Sequence, residues 1–218
     1  MMEVVRCKTK EEAKKSAGKK LNQLFLSHQH VPVLFLSSGG SALQLLDEID
    51  ANSLPKDLAL GVLDERLDVE SKDSNSEQFK ATPFYTMLQA RDVPFVELKG
   101  NTSLRKVIIT QGVGEDGHTA GILPFPENSE VFRELFENKD KPMVEYEAKG
   151  KSVYSHRATA TLPFLREWVD HSVVFMVGEE KRNALERVLA EEGMLAETPA
   201  RIVREMRDAT IFTDIKLE

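Results

Sequence analysis

Cysteine is almost absent from this chain: Cys7 is the only one in 218 residues. No internal disulfide can form, and no cysteine–histidine cluster offers a zinc site. Cys7 is therefore expected to pack in or near the first strand rather than to act as a nucleophile. A lysine–arginine block is also missing, and the formal net charge of −7 argues against a nucleic-acid footprint. Anionic partners, if any, must be small and met in a local basic pocket. No apolar run approaches the ~20 residues that span a bilayer, and Met1-Met2-Glu3-Val4-Val5-Arg6 has no signal-peptide core. The expectation is a cytoplasmic protein with neither membrane nor nucleic-acid partners. No repeat period and no dividing linker are visible, so residues 1–218 are expected to form one domain, long enough for a full core.

Present instead are short apolar runs alternating with helical patterns. A strand is expected near Val4-Val5, and Thr9-Lys10-Glu11-Glu12 has capping-box spacing ahead of Ala13, Ala17, Leu21, Leu24 and Phe25 on one helical face. Val31 to Leu36, Leu58 to Leu63, Val107 to Thr110 and His171 to Val177 read as buried strands, too short for helices. Ala42, Leu43, Leu45, Leu46 and Ile49 mark a second helix, Thr82-Pro83 starts another, and Ser129 caps one running to Phe136. Residues 93–98 suggest a short strand ended by Gly100-Asn101, and Asp68 to Ser76 a polar, mobile loop. Strand character is read in Val153-Tyr154, Ala158 to Leu162, Ile202-Val203 and Ala209 to Thr213, and a helix in Ala184, Leu185, Val188 and Leu189. Strand and helix alternate almost throughout, which predicts an α/β fold with a mainly parallel sheet and helices on both faces.

Three stretches suggest chemistry. Ser37-Ser38-Gly39-Gly40-Ser41 follows a strand and precedes a helix, placing free N–H groups where a phosphate could sit. Asp64-Glu65-Arg66 puts three charges at the carboxyl end of an apolar strand, the edge where open α/β sheets bind ligands. In Gly112-Val113-Gly114-Glu115-Asp116-Gly117-His118-Thr119-Ala120-Gly121-Ile122-Leu123-Pro124, glycines permit close backbone approach. Asp116 and His118, two apart, can face one cavity as a carboxylate and the imidazole it orients, the equipment of a general base.

Together with His156-Arg157-Ala158-Thr159-Ala160-Thr161 and Gly178-Glu179-Glu180-Lys181, these stretches resemble, in order and over most of the chain, the 6-phosphogluconolactonase family, within the wider group that includes glucosamine-6-phosphate deaminase. The resemblance implies a Rossmann-like fold and hydrolysis of 6-phospho-D-glucono-1,5-lactone to 6-phosphogluconate in the oxidative pentose phosphate pathway, without metal or organic cofactor. It implies His118 as the base that activates water, Asp116 orienting it, and Arg66 stabilising negative charge on the attacked carbonyl. Gly40 and Ser41, with Arg157 and Lys181, would hold the 6-phosphate, with Gly39 and Asp64 beside them in the substrate site. The implied partner is a small sugar phosphate, and the implied assembly a monomer or homodimer.

The chain also departs from the family pattern. Gly40-Ser41-Ala42-Leu43 stands where Gly-Ser-Thr-Pro is usual, removing a hydroxyl from the phosphate loop, and the stretch between Asn75 and Gly112 is short, without the helix that usually precedes the central strand. Two other readings are a deaminase/isomerase-like enzyme and a non-catalytic sugar-phosphate-binding domain. Deaminases carry Asn-Glu-Pro after the glycine–histidine motif, whereas Gly121-Ile122-Leu123-Pro124 has no acid; the joint presence of His118 and Arg66, with no DNA-binding module, favours an enzyme.

Overall fold

The computed structural model describes residues 1–98 and 105–217. Six strands, β1 (Met2–Arg6), β2 (Val33–Ser37), β3 (Leu58–Val62), β5 (Lys106–Gly112), β8 (His171–Phe175) and β9 (Ala209–Thr213), form an all-parallel sheet in the order β1-β9-β8-β5-β2-β3. Their apolar residues alternate between two cores. On β2, Val33 and Phe35 face one core and Leu34 and Leu36 the other; Val173 and Phe175 oppose Val174 on β8 in the same way. Burial on both faces explains why these strands read as unbroken apolar runs.

One core is closed by α1 (Lys10–Ser27), α2 (Asn75–Lys80) and α3 (Pro83–Gln89), the other by α4 (Ser129–Phe136), α5 (Leu162–Glu167) and α6 (Arg182–Leu189). Thr9 and Thr82 cap α1 and α3 as their sequences predict, with Pro83 in the first turn of α3. Cys7 is buried.

Several local expectations are corrected. Residues 40–48 wind as a 3₁₀ helix, in which side chains three apart eclipse. The row Ala42, Leu45, Glu48 lies against α1, so close that a Cβ on Gly18 would stand 2.2 Å from that of Glu48. Asn128, not Ser129, caps α4, its Oδ1 accepting the Val131 N–H at 3.0 Å. Residues 68–76 are not an open loop: they hold a 3₁₀ turn (Ser71–Asp73) and the start of α2. Around Phe95 only a single bridge to Leu60 forms, because Pro94 has no N–H to extend a ladder; the expected ending at Gly100-Asn101 lies outside the described residues. Among the described residues no helix lies between α3 and β5. Val153-Tyr154 is a connection, Thr161 caps α5, and Ile202-Val203 belongs to a 3₁₀ helix (Pro199–Arg204). There, Arg201 and Arg204 donate to the last carbonyls of α6, and this tertiary capping overrides the β preference of the two branched residues.

The sequence reading also missed a second sheet. β4 (Asp64–Arg66), β7 (His156–Ala160) and β6 (Met143–Glu147) form an antiparallel three-stranded sheet, order β4-β7-β6. It starts where β3 ends, so β3 hands the chain from one sheet to the other at the carboxyl edge of the large one.

Candidate active site

The large sheet reverses direction between β2 and β5: β2 leads outward to β3, and β5 leads the other way to β8. Such a switch point leaves a crevice at the carboxyl ends of the two strands. The turns that follow them meet there. Ser38 N–H donates to Thr110 O at 2.9 Å, and a Cβ on Gly112 would stand 3.0 Å from Ser41 Oγ. A cavity of about 550 Å³ opens at this point, lined by the Ser38–Ser41 turn, Asp64, Arg66, Asn75, the 112–121 turn, Arg157 and Lys181. All of the site residues singled out in the sequence, Gly39, Gly40, Ser41, Asp64, Arg66, Asp116, His118, Arg157 and Lys181, are brought to this one cavity.

Strand alternation explains the charged triplet. Successive residues of β4 point to opposite faces, so Asp64 and Arg66 share the face on which their ladder partners Thr159 and Arg157 stand, while Glu65 points away. Asp64 is buried. Its Oδ2 accepts from Arg157 at 3.2 Å and from Asn75 Nδ2 at 2.9 Å, while Oδ1 has no partner among the described residues. Burial raises its carboxyl above the usual range, against the opposing pull of Arg157, His118 and Arg66. Burial prevails over the ion pair because only one of the two oxygens is bonded.

Glu65 works behind the wall. Its carboxylate accepts from the N–H groups of Arg66, Asn75 and Ser76 and from Ser74 Oγ, tying the start of α2 to β4. Burial pushes this carboxyl up, but the hydrogen bonds from Ser76, Arg66 and Asn75 prevail and hold it below the usual range. Asn75 is thereby delivered into the cavity wall, against Gly39: a Cβ there would stand 2.2 Å from Asn75 Oδ1. Asn75 and Ser38 also line the cavity; the sequence reading placed them only within motifs and gave neither a role. The only signal for Asn75 was its place beside Ser74 after the charged triplet.

The 112–121 turn is held at nearly every carbonyl. Thr119 Oγ donates to Gly112 O, Tyr146 to Gly121 O at 2.6 Å, Thr159 Oγ to Ala120 O, Arg187 to Glu115 O, and the Ala200 N–H to Gly117 O. Burial holds the Tyr146 phenol above its ordinary range, so it remains a donor. These ties sustain positive φ at Gly117, Gly121 and the non-glycine Ala120 (φ 48°). Within the turn, His118 Nδ1 lies 2.6 Å from Asp116 Oδ1, which also accepts the His118 N–H at 3.0 Å. The carboxylate fixes the Nδ1–H tautomer and leaves Nε2 as the basic nitrogen. Burial raises Asp116, but hydrogen bonding and attraction to His118 win, and its carboxyl lies below the usual value. His118 is partly open to solvent, with 41% of its side chain exposed, so water reaches it.

Two cationic groups have different surroundings. Arg157 is buried and paired with Asp64. The ammonium of Lys181, in the turn before α6, has no ion-pair or hydrogen-bond partner among the described residues; burial lowers its pKa, against Glu180. Among the described residues no group of three or more histidine, cysteine, aspartate or glutamate side chains could hold a metal, and no helix is long and apolar enough to cross a membrane.

Fold and cavity together define an α/β protein of the Rossmann-like type with a pocket lined by charged side chains at its switch point. Residues 108–212 match the family model of glucosamine-6-phosphate isomerases/6-phosphogluconolactonase. The chain is similar in structure to a 6-phosphogluconolactonase from Shewanella baltica (TM-score 0.74, 20% identity, covering 98% of this chain and 97% of that one). It is likewise similar to those from Leishmania guyanensis (0.70, 20%, 98% and 96%) and Thermotoga maritima (0.68, 18%, 98% and 98%). At these identities the likeness establishes the fold. No curated protein sequence matches the chain.

Proposed function

We propose that this protein hydrolyses 6-phospho-D-glucono-1,5-lactone to 6-phosphogluconate, with His118 as general base. The observation that carries the reading is the meeting of the Asp116–His118 pair, Arg66 and Lys181 in one water-accessible cavity. His118 Nε2 removes a proton from water as it attacks the lactone carbonyl. Arg66 stabilises the oxyanion, and the imidazolium returns its proton to the ring oxygen as the C–O bond breaks. A lactone is already an activated ester, so ~10²–10⁴-fold from the base and ~10²–10³-fold from an oxyanion donor suffice. No covalent nucleophile is needed.

Gly39, Gly40 and Ser41, with Lys181 and Arg157, hold the 6-phosphate, Arg157 serving Asp64 and the anion together. The absence of an acid at Ile122-Leu123 disfavours ring-opening deaminase chemistry, and both side chains are buried in the core. The sugar phosphate is the partner, and neither nucleic acid nor membrane has a part in the reaction.

The test compares freshly generated 6-phosphogluconolactone with unphosphorylated gluconolactone, each corrected for spontaneous hydrolysis. Catalysed opening of the phosphorylated lactone, with kcat/KM at least ~10²-fold lower for the other because a buried cation loses its partner, is the expected result. No acceleration with either would overturn the reading.

A further inference from the structure

On the face of the small sheet that lines the cavity, Arg66 stands directly opposite Arg157 in the β4–β7 ladder. Like charges in that relation repel. Asp64 engages Arg157, so Arg66 requires a different restraint to face the cavity in one orientation. That restraint comes from the β6–β7 connection. The Arg66 guanidinium carbon lies 4.5 Å from the centre of the Tyr154 ring, and Arg66 Nη1 donates to Asp73 O at 3.0 Å. The Tyr154 hydroxyl in turn donates to Asp73 Oδ1 at 2.8 Å. Asp73 therefore receives both partners, one on its carbonyl and one on its carboxylate.

From this arrangement we infer that Tyr154 is the positioning residue for the Arg66 guanidinium, fixing its plane so that its unbonded edge faces the reacting carbonyl. The inference rests on the reading of Arg66 as the oxyanion-stabilising group. Its physical content is separate: a planar cation stacked on an aromatic face keeps its orientation, whereas one without the ring swings toward solvent. Arg66 Nε is buried without a partner and Nη1 is bonded to Asp73, which leaves Nη2 for the cavity. Tyr154 touches no reacting atom, so its effect must pass through Arg66.

Tyr154→Phe keeps the ring and loses the Asp73 bond, while Tyr154→Leu removes the ring. Tyr154→Leu should lower kcat/KM for the lactone about tenfold or more, mainly in kcat, because charge stabilisation is a transition-state contact. Tyr154→Phe should stay within about threefold of wild type, since stacking survives. In an Arg66→Ala background the same Tyr154→Leu change should cost less than about twofold, the non-additivity expected of residues acting through one another. An equal loss in both backgrounds, or none in wild type, overturns the inference. A second readout needs no turnover: the side-chain ¹H–¹⁵N signals of the Arg66 guanidinium should be resolved in wild type and averaged by rotation in Tyr154→Leu. Unchanged signals in that variant overturn the inference as well. Failure of the wild type to hydrolyse the lactone would instead reject the proposed function, leaving the guanidinium signals to decide the role of Tyr154.

Discussion

Asp116 Oδ1 accepts two hydrogen bonds from His118, one from the ring at 2.6 Å and one from the backbone N–H at 3.0 Å. A single oxygen thus fixes both where the ring sits and which of its nitrogens is basic. Asp116→Ala should lower kcat by about 10²-fold or more, because the tautomer is no longer set. KM should move little. Steady-state kinetics check this, and a KM effect without a kcat effect would place Asp116 in binding instead.

Lys181 is expected to hold the phosphate alike in ground and transition states. Lys181→Met should therefore raise KM about tenfold or more with kcat nearly unchanged. Burial depresses its pKa, so in the free protein the ammonium is lost as pH rises through a value below the ordinary ~10.4 of lysine. Affinity for 6-phosphogluconate, measured by calorimetry, should fall on that alkaline side in wild type but stay flat in Lys181→Met.

Glu65 gives a stability prediction with a definite sign. Its folded-state pKa is lowered, so its contribution is fully present above the unfolded carboxylate value of about 4.3 and lost as pH falls through the depressed folded value. Glu65→Gln should cost about 1–3 kcal/mol at pH 7, because an amide nitrogen now faces N–H donors. The Tm difference between the two proteins should shrink below about pH 4. A gap independent of pH would remove the carboxylate from this role.

Gly114 is packed against the His118 ring: a Cβ there would stand 2.2 Å from both His118 Nδ1 and Cε1. Gly114→Ala should therefore displace the imidazole, lowering kcat at least ~10²-fold while circular dichroism shows the fold intact. Wild-type kcat in this variant would contradict the placement of the ring.

The fold was legible wherever burial is two-sided or caps are local. β2, β3, β5 and β8 stand out as apolar runs, and Thr9 and Thr82 cap their helices through neighbours three residues away. The small sheet was not legible, because β4 is the charged triplet Asp64–Arg66 and reads as solvated loop until β7 is placed beside it. The 3₁₀ segment holding Ile202-Val203 was hidden for a similar reason: its conformation answers to Arg201 and Arg204 bonding α6. At the site, glycines and charges at strand ends pointed to the cavity. Asn75 and Tyr154 did not show, since each matters only through a partner that is separated from it in sequence, Asp64 for the first and Arg66 for the second.

The most direct measurement is the rate of opening of freshly generated 6-phosphogluconolactone by wild type and His118→Ala, each corrected for spontaneous hydrolysis. The account predicts a kcat/KM loss of ~10²–10⁴-fold with 6-phosphogluconate still bound by the variant. Equal rates in the two proteins would contradict it.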